Sequence, residues 1–356
     1  MQRRLPAGLL LPVSLIALVA AVSYLSALGS ESLQRTALQM LVNLVLVVAL
    51  YVFVGNSGIF SFGQLTFMAV GAYTYALLTI PSDSKALLLP GLPAWLADLH
   101  FSRLLAIAVA AVVAALLALA LAIPIMRLTG ITASLATFAV LIIANVVVSN
   151  WRDVTGGTSG MTGVPLTLTR EEALAWAAVA IVAVYAFQRS TVGFRLRASR
   201  EDEVAARSVG IGVLNERRAA FVLSGLLTGL GGALYAQFAG SFSPDAFYLN
   251  LTFLTIAMLV VGGIRSLSGA VLGTLVVSTT AEVLHELEDG FSLGSLSVGA
   301  RPGLREVGLA LVMLLILVLR PNGLTSGREL RWPSRRGLPA RAPQGVDPAD
   351  ARNASS

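Results

Sequence analysis

The sequence predicts an all-α polytopic membrane protein of about ten transmembrane or re-entrant helical segments, with both termini in the cytoplasm. Three observations carry this. First, 56% of the 356 residues are hydrophobic, 12% are charged, and the mean hydropathy is +0.80. A soluble domain carries roughly 25% charged residues, so this chain cannot cover its surface with water-soluble groups, and the bilayer is its solvent. Second, long apolar runs recur without the alternation of a strand, which argues against an outer-membrane barrel. Third, the arginines cluster between and beyond these runs, as topology signals do. The net charge of +6 is therefore read as topology, with no nucleic acid partner. Cysteine is absent, which excludes disulfides, iron–sulfur clusters and thiolate zinc sites.

The segments follow in order. Residues 9–28, behind Arg3 and Arg4, form an apolar run too long for the core of a signal peptide and followed at once by another. It reads as a retained helix. Residues 38–54 form the second segment. The stretch 55–73 is apolar enough to lie in the membrane yet dense in Gly, Ser, Asn, Gln and Thr. Freed backbone groups in lipid must be satisfied inside protein or along a cavity. This stretch is either a broken segment lining a path or a helix whose small residues allow tight packing. Residues 81–101, with several prolines and glycines, read as a loop, 103–126 as a long helix, and 130–148, with Asn145, as the next. The Gly- and Thr-rich loop 150–165 is either an anion-binding nest or a turn-rich external loop.

Residues 173–187 and 219–238 are further helices, the latter with Gly225, Gly229, Gly232 and Ala236 at a spacing that suits close helix contact. Residues 249–261 and 267–284 are separated by a second break, Gly262-Gly-Ile-Arg-Ser-Leu-Ser-Gly, and 304–319 is the last segment. With the N-terminus inside, Arg127, the 189–218 loop, Arg265 and the tail all fall inside, in accord with the positive-inside rule. The organisation is a membrane domain over 1–323, with a cytoplasmic loop at 190–217, and an Arg- and Pro-rich disordered tail over 324–356.

Between two of these helices lies a polar island, residues 197–211. It reads as one short helix, with Ser199 as N-cap, Asp202 in the capping-box position and Gly210 as a left-handed C-terminal residue. So short a helix needs a packing partner. It is either a coupling helix seated in a groove of a motor subunit or an interfacial helix on lipid headgroups. The acidic run Glu201, Asp202 and Glu203 sits poorly against an anionic leaflet.

Catalytic chemistry is sparse. His100 falls in an external loop. His285 lies at helical spacing from Glu282 and Glu286, a pattern that could bind a metal or relay protons but lacks an HExxH motif and reads as an exposed helix end. No nucleophile–base pair or phosphate loop stands out. Charges within the apolar segments are nearly absent, whereas proton- or sodium-coupled carriers usually need them buried. The pattern fits a passive path driven from outside. A stand-alone channel or facilitator and a polytopic membrane enzyme are the competing readings, and the docking helix speaks against the first.

The island, followed by Ala220-Phe-Val-Leu-Ser-Gly and Gly231-Gly-Ala-Leu-Tyr-Ala, resembles the permease subunits of branched-chain amino acid ABC importers of the LivM type. So do Ser61-Phe-Gly-Gln with Gly71-Ala-Tyr, Trp151-Arg with Thr155-Gly-Gly-Thr-Ser-Gly-Met-Thr-Gly-Val-Pro, Ser243-Pro-Asp, and the second break. The match runs over about residues 42–323. The resemblance implies a subunit of the bacterial cytoplasmic (inner) membrane without an ATPase site, cofactor or metal of its own. Its partners would be a second, LivH-type permease, two cytoplasmic ABC ATPases and an extracytoplasmic solute-binding protein. Arg197, Arg200, Glu201, Asp202, Ala205 and Gly210 take the coupling positions. Permeases for urea and short amides look similar. Hydroxyls and amides for a substrate path are expected from Ser61, Gln64, Thr66, Thr132, Thr137 and Asn145.

Overall fold

The structure, a computed structural model, describes residues 10–26, 29, 31–288, 292–293, 296–297, 303–327 and 329. Among these it is helical throughout, apart from one antiparallel pair of two-residue strands, β1 (Ser292–Leu293) and β2 (Leu296–Ser297). The helices in chain order are α1 (Leu10–Leu25), α2 (Glu31–Ser57), α3 (Gln64–Thr79), α4 (Ser82–Leu88), α5 (Ala94–Ala97), α6 (Arg103–Ile125), α7 (Gly130–Asn150) and α8 (Arg152–Thr155). They continue with α9 (Arg170–Arg189), α10 (Thr191–Glu201), α11 (Glu203–Ser208), α12 (Val213–Ala239), α13 (Leu249–Gly262), α14 (Leu267–Glu288) and α15 (Leu304–Leu319).

Among the described residues, seven helical stretches are long and apolar enough to cross a membrane: Glu31–Ser57, Arg103–Ile125, Gly130–Asn150, Arg170–Arg189, Val213–Ala239, Pro244–Gly262 (α13 with the short turn before it) and Leu267–His285. α1, α3 and α15 have 16 residues each, short of the roughly 20 that a straight span needs. The structure thus supports seven spans among the described residues rather than the ten expected, the expected segments at α1, α3 and α15 being the shorter ones. The 81–101 loop is more ordered than its composition suggests, since it holds α4 and α5, which begin next to Pro81 and Pro93.

α2 is the axis of the bundle. Its run from residue 41 to residue 54 is apolar on every face apart from Asn43, the mark of a helix with neighbours all round, and every residue from 40 to 57 is buried. α12 packs against α2, α3 and α6. In lipid there is little hydrophobic drive between helices, so close approach of small residues supplies the packing. α6 turns Ala106, Ala110, Ala114, Ala118 and Ala122, one per turn, into this core. Gly225 and Gly229 of α12 sit on Ala118 and Ala114. On another side of α12, Gly232 lies on the Met68 carbonyl of α3, and Gly71 of α3 lies on the Gly229 carbonyl. The expected contact role of Gly225, Gly229 and Gly232 is what the fold uses. α13 and α14 meet in the same way, at Gly262, Gly269 and Gly273. The outer faces of α6 and α7 carry large exposed apolar side chains, among them Leu116, Ile123, Ile131 and Leu135, as a lipid-facing surface should.

A Cβ at Gly232 would overlap the Met68 carbonyl oxygen, whereas at Gly212 its nearest neighbour is Asn215 Nδ2 at 3.9 Å. Gly232→Ala should therefore destabilise the chain by about 1–3 kcal/mol through overpacking, and Gly212→Ala should leave it nearly unchanged. Thermal midpoints of the purified chain in detergent check the pair.

Candidate functional site

The polar island folds differently from the single helix expected. α10 runs to Glu201 and α11 begins at Glu203, with Asp202 in extended conformation between them. Asp202 is the N-cap of α11, its Oδ1 accepting from the Ala205 amide at 2.9 Å. Ser199 is not a cap. It lies buried inside α10 and donates to the Leu196 carbonyl. The N-cap of α10 is Ser190, which accepts from the Gly193 amide. Gly210 does take the left-handed conformation, with φ +82°. The Ile211 amide donates to the Ala206 carbonyl and that of Gly210 to Arg207, which together make a Schellman closure.

The island has an inner and an outer side. On the inner side Arg197 Nη2 donates to the Gln188 carbonyl at 2.8 Å, and Arg200 Nη1 donates to the Gly55 carbonyl near the end of α2 at 2.5 Å. Arg217 of α12, buried, pairs with Glu203 at 2.7 Å, and Arg207 pairs with the same carboxylate at 2.6 Å. Burial pushes the Glu203 carboxyl up, but the hydrogen bonds from Arg217 and Arg207 outweigh it and hold the group below the usual carboxylate range. Facing outward are Glu201, Asp202, Ala205 and Gly210, beside the exposed apolar side chains of Phe194, Val204 and Val209. A hydrogen bond from Arg200 holds Glu201 below its ordinary pKa.

Arg200 leads to the first break. α2 stops at Ser57, the chain turns at Gly58 (φ +74°), and α3 starts at Gln64. Of the two readings left open for this stretch, the break is the one observed. Its freed amides are partly met by side chains. Ile59 N–H donates to Ser57 Oγ, and Phe62 N–H donates to Thr137 Oγ1 of α7 at 3.2 Å. A cleft of about 530 Å³ opens beside it, lined in part by Arg200 and by Arg265 of the second break.

In the break and α3 lie several buried polar atoms without hydrogen-bond partners: Ser61 Oγ, both side-chain polar atoms of Gln64, Thr66 Oγ1 and Tyr73 OH. Such groups cost about 1–3 kcal/mol each when left unmet, so they mark places where water or a polar ligand belongs. Asn145 of α7 borders a small cavity that also touches Thr66, and its Nδ2 donates to the Pro244 carbonyl at 3.3 Å. Thr137 is buried with its hydroxyl occupied at the break. Thr132 stands apart, exposed at the start of α7, where it donates to the Thr129 carbonyl. Tyr73 was missed from the sequence, although it lies two turns after Thr66 on the same face of α3.

The second break also holds. α13 ends at Gly262 and α14 begins at Leu267. The tail is structured beyond residue 323: the Leu324 and Thr325 amides donate to the Val261 and Gly262 carbonyls, and the Glu329 carboxylate accepts from the Leu267 and Ser268 amides at 2.8 and 3.1 Å. The remainder of the segment expected to be disordered lies outside the described residues. In the 150–165 loop, Met161 pairs with Phe242 in an isolated bridge, and Gly156, Gly157, Gly160 and Gly163 all have positive φ. The structure thus presents a multi-pass helical membrane protein with a capped polar segment seated on a broken helix.

The family model for the branched-chain amino acid transport system permease component matches residues 32–319. The chain belongs to that family. It is 24% identical over 346 residues to the high-affinity branched-chain amino acid transport system permease protein LivM of Escherichia coli, a match covering 88% of this chain and 73% of that one. It is 25% identical to LivM of Salmonella typhimurium over the same shares. A probable branched-chain amino acid transport permease protein LivH of Methanocaldococcus jannaschii is 29% identical over 140 residues, 38% of this chain and 41% of that one. No solved structure matches the chain.

Because the folded pKa of Glu203 is depressed, the stability it lends α11 is present above the unfolded value and is lost as pH falls through the folded value. Amide-exchange protection of residues 203–211 should drop below about pH 4 and lose that dependence in Glu203→Gln. At neutral pH, Asp202→Ala should cost the same segment about 1 kcal/mol of protection.

Proposed function

We propose that the chain is the permease subunit of an ATP-binding-cassette importer and forms, with a second, LivH-type permease, the path by which branched-chain hydrophobic amino acids enter a bacterial cell. The observation that carries this is the hydrogen bond from Arg200, in the docking segment, to the Gly55 carbonyl at the lip of the helix break. A motor subunit pushing on α10 and α11 acts directly on the break. Phe194, Val204 and Val209 supply the apolar surface for that contact, and Glu201, Asp202, Ala205 and Gly210 its polar rim. Two cytoplasmic ATPases hydrolyse the ATP, so this chain needs no catalytic site or cofactor. An extracytoplasmic binding protein delivers the substrate.

In this reading the protein lies in the bacterial cytoplasmic membrane, both termini face the cytoplasm, and all ten segments cross or re-enter the bilayer. Ser61, Gln64, Thr66 and Tyr73 line the path with Asn145 beside them, while Thr137 holds the break in shape. A lone channel has no use for a capped docking segment. A permease for urea or short amides would share it, and the match to LivM proteins over 88% of the chain favours amino acids.

The test is uptake of labelled leucine, urea and a short amide into proteoliposomes holding the chain and its partners, with and without internal ATP. Leucine uptake that needs both ATP and the binding protein is expected. Flux from this chain alone without ATP would overturn the proposal. Gln64→Ala with Thr66→Val should lower uptake roughly tenfold, the scale of one hydrogen bond to a charged group, while the complex still assembles on size exclusion.

A further inference from the structure

An ionisable group inside a membrane bundle is costly and marks function where it occurs. Glu282 of α14 is such a group. The sequence places it at an exposed helix end. In the structure it is 7% exposed, and its carboxylate accepts from the hydroxyls of Ser32 at 3.2 Å and Thr36 at 2.6 Å on α2. It borders a cavity of about 290 Å³ that is lined by α2, α12, α13, α14 and α15 and opens on the side of Ser32, Arg35 and Gln39, which are exposed. This cavity lies at the end of the bundle remote from α10 and α11. Ser61, Gln64 and Thr66 do not line it.

Three more features share this space. Arg35 of α2 lines it, its guanidinium lying over the Phe238 ring at 5.9 Å. Among the described residues no ion pair joins Arg35 to Glu282, so the cavity holds opposite charges that do not cancel each other. Ser278, one turn before Glu282, is 6% exposed and contributes a buried hydroxyl with no hydrogen-bond partner. The side formed by α13 and α15 is apolar, with Leu254, Met258 and Leu309 facing Met40 of α2, while Gln39, Asn43 and His285 add polar groups to the rest of the wall. A carboxylate, a guanidinium and an unmet hydroxyl beside an apolar patch suit a ligand that carries an ammonium, a carboxylate and a hydrocarbon side chain.

We propose that this cavity binds an aliphatic α-amino acid as its zwitterion, with the ammonium on Glu282, the carboxylate on Arg35 and the side chain against Met40, Leu254 and Met258. The site rests on the permease reading for its role, as a station at the outer end of the path. Its volume lies at the lower end for small-molecule pockets, which suits a ligand of leucine size. An ethanolamine phospholipid headgroup carries the same pair of charges, and the experiment separates the two sources.

The assembled transporter is placed in nanodiscs of phosphatidylcholine and phosphatidylglycerol, and labelled L-leucine binding is measured without binding protein or ATP. 4-Methylpentanoate, which lacks the ammonium, and 3-methylbutylamine, which lacks the carboxylate, serve as competitors. Glu282→Gln should weaken leucine by about tenfold or more and leave 4-methylpentanoate unaffected. Arg35→Gln, at an exposed side chain that the fold does not depend on, should weaken leucine and leave 3-methylbutylamine unaffected. No leucine binding to the unmodified complex, or unchanged ligand ranking in both variants, overturns the proposal. So does leucine binding that survives both variants while co-purified phosphatidylethanolamine, from native membranes, is lost in Glu282→Gln. Uptake measured in parallel keeps the two readings apart. Transport with unchanged ranking sinks the site alone, and selective binding without ATP-driven transport sinks the importer alone.

Discussion

A chain that interrupts its helices must find partners for the freed backbone groups, and the architecture of this protein follows from that constraint. Two interruptions, at residues 58–63 and 263–266, free backbone donors and acceptors. The chain answers with side chains brought from far along the sequence. Thr137 receives the Phe62 amide, Arg200 donates to the Gly55 carbonyl, and Glu329 receives two amides at the start of α14. Each answer ties a different element to a break. α7, the polar segment of α10 and α11 and the C-terminal segment are thereby all held in register with the broken helices.

Tight helix contact makes this possible. Glycines on α12 and α3 and the alanine ladder of α6 bring backbones together without large side chains between them. The core is therefore stiff around α2 and α12, and the polar side chains of α3 are fixed against a rigid wall. Stiffness on one side and a break on the other divide the bundle into a part that holds its shape and a part that can respond.

Much of this was legible in the sequence, for identifiable reasons. Long apolar runs gave the helices, because lipid admits few alternatives, and Gly225, Gly229 and Gly232 betrayed the packing face because nothing larger fits. Gly210 announced a left-handed residue and has one. What failed was local polar chemistry. Ser199 and Asp202 are equally good caps by composition, and only the extended backbone at Asp202, fixed by tertiary packing, decides between them. Thr132 and Thr137 sit one and a half turns apart on the same helix, yet one faces outward and the other meets the break. Glu282 looked like the wet end of a helix because nothing near it in sequence hints that Ser32 and Thr36 cover it. The role of Glu329 is invisible for the same reason, since its partners lie about sixty residues earlier.

That last separation bears on how the protein is made. Chains emerge from the ribosome in order, and domains tend to fold as their sequence becomes available. α2, α3, α6 and α12 are complete long before Glu329 appears, so their glycine-mediated core can assemble during synthesis. The first amides of α14 have no carboxylate to receive them until the C-terminal segment has left the exit tunnel. The junction between α13 and α14 is therefore the last part of the membrane domain to acquire its full set of bonds. A chain stalled a few residues before Glu329 would hold α1 to α15 and still leave the Leu267 and Ser268 amides without that carboxylate.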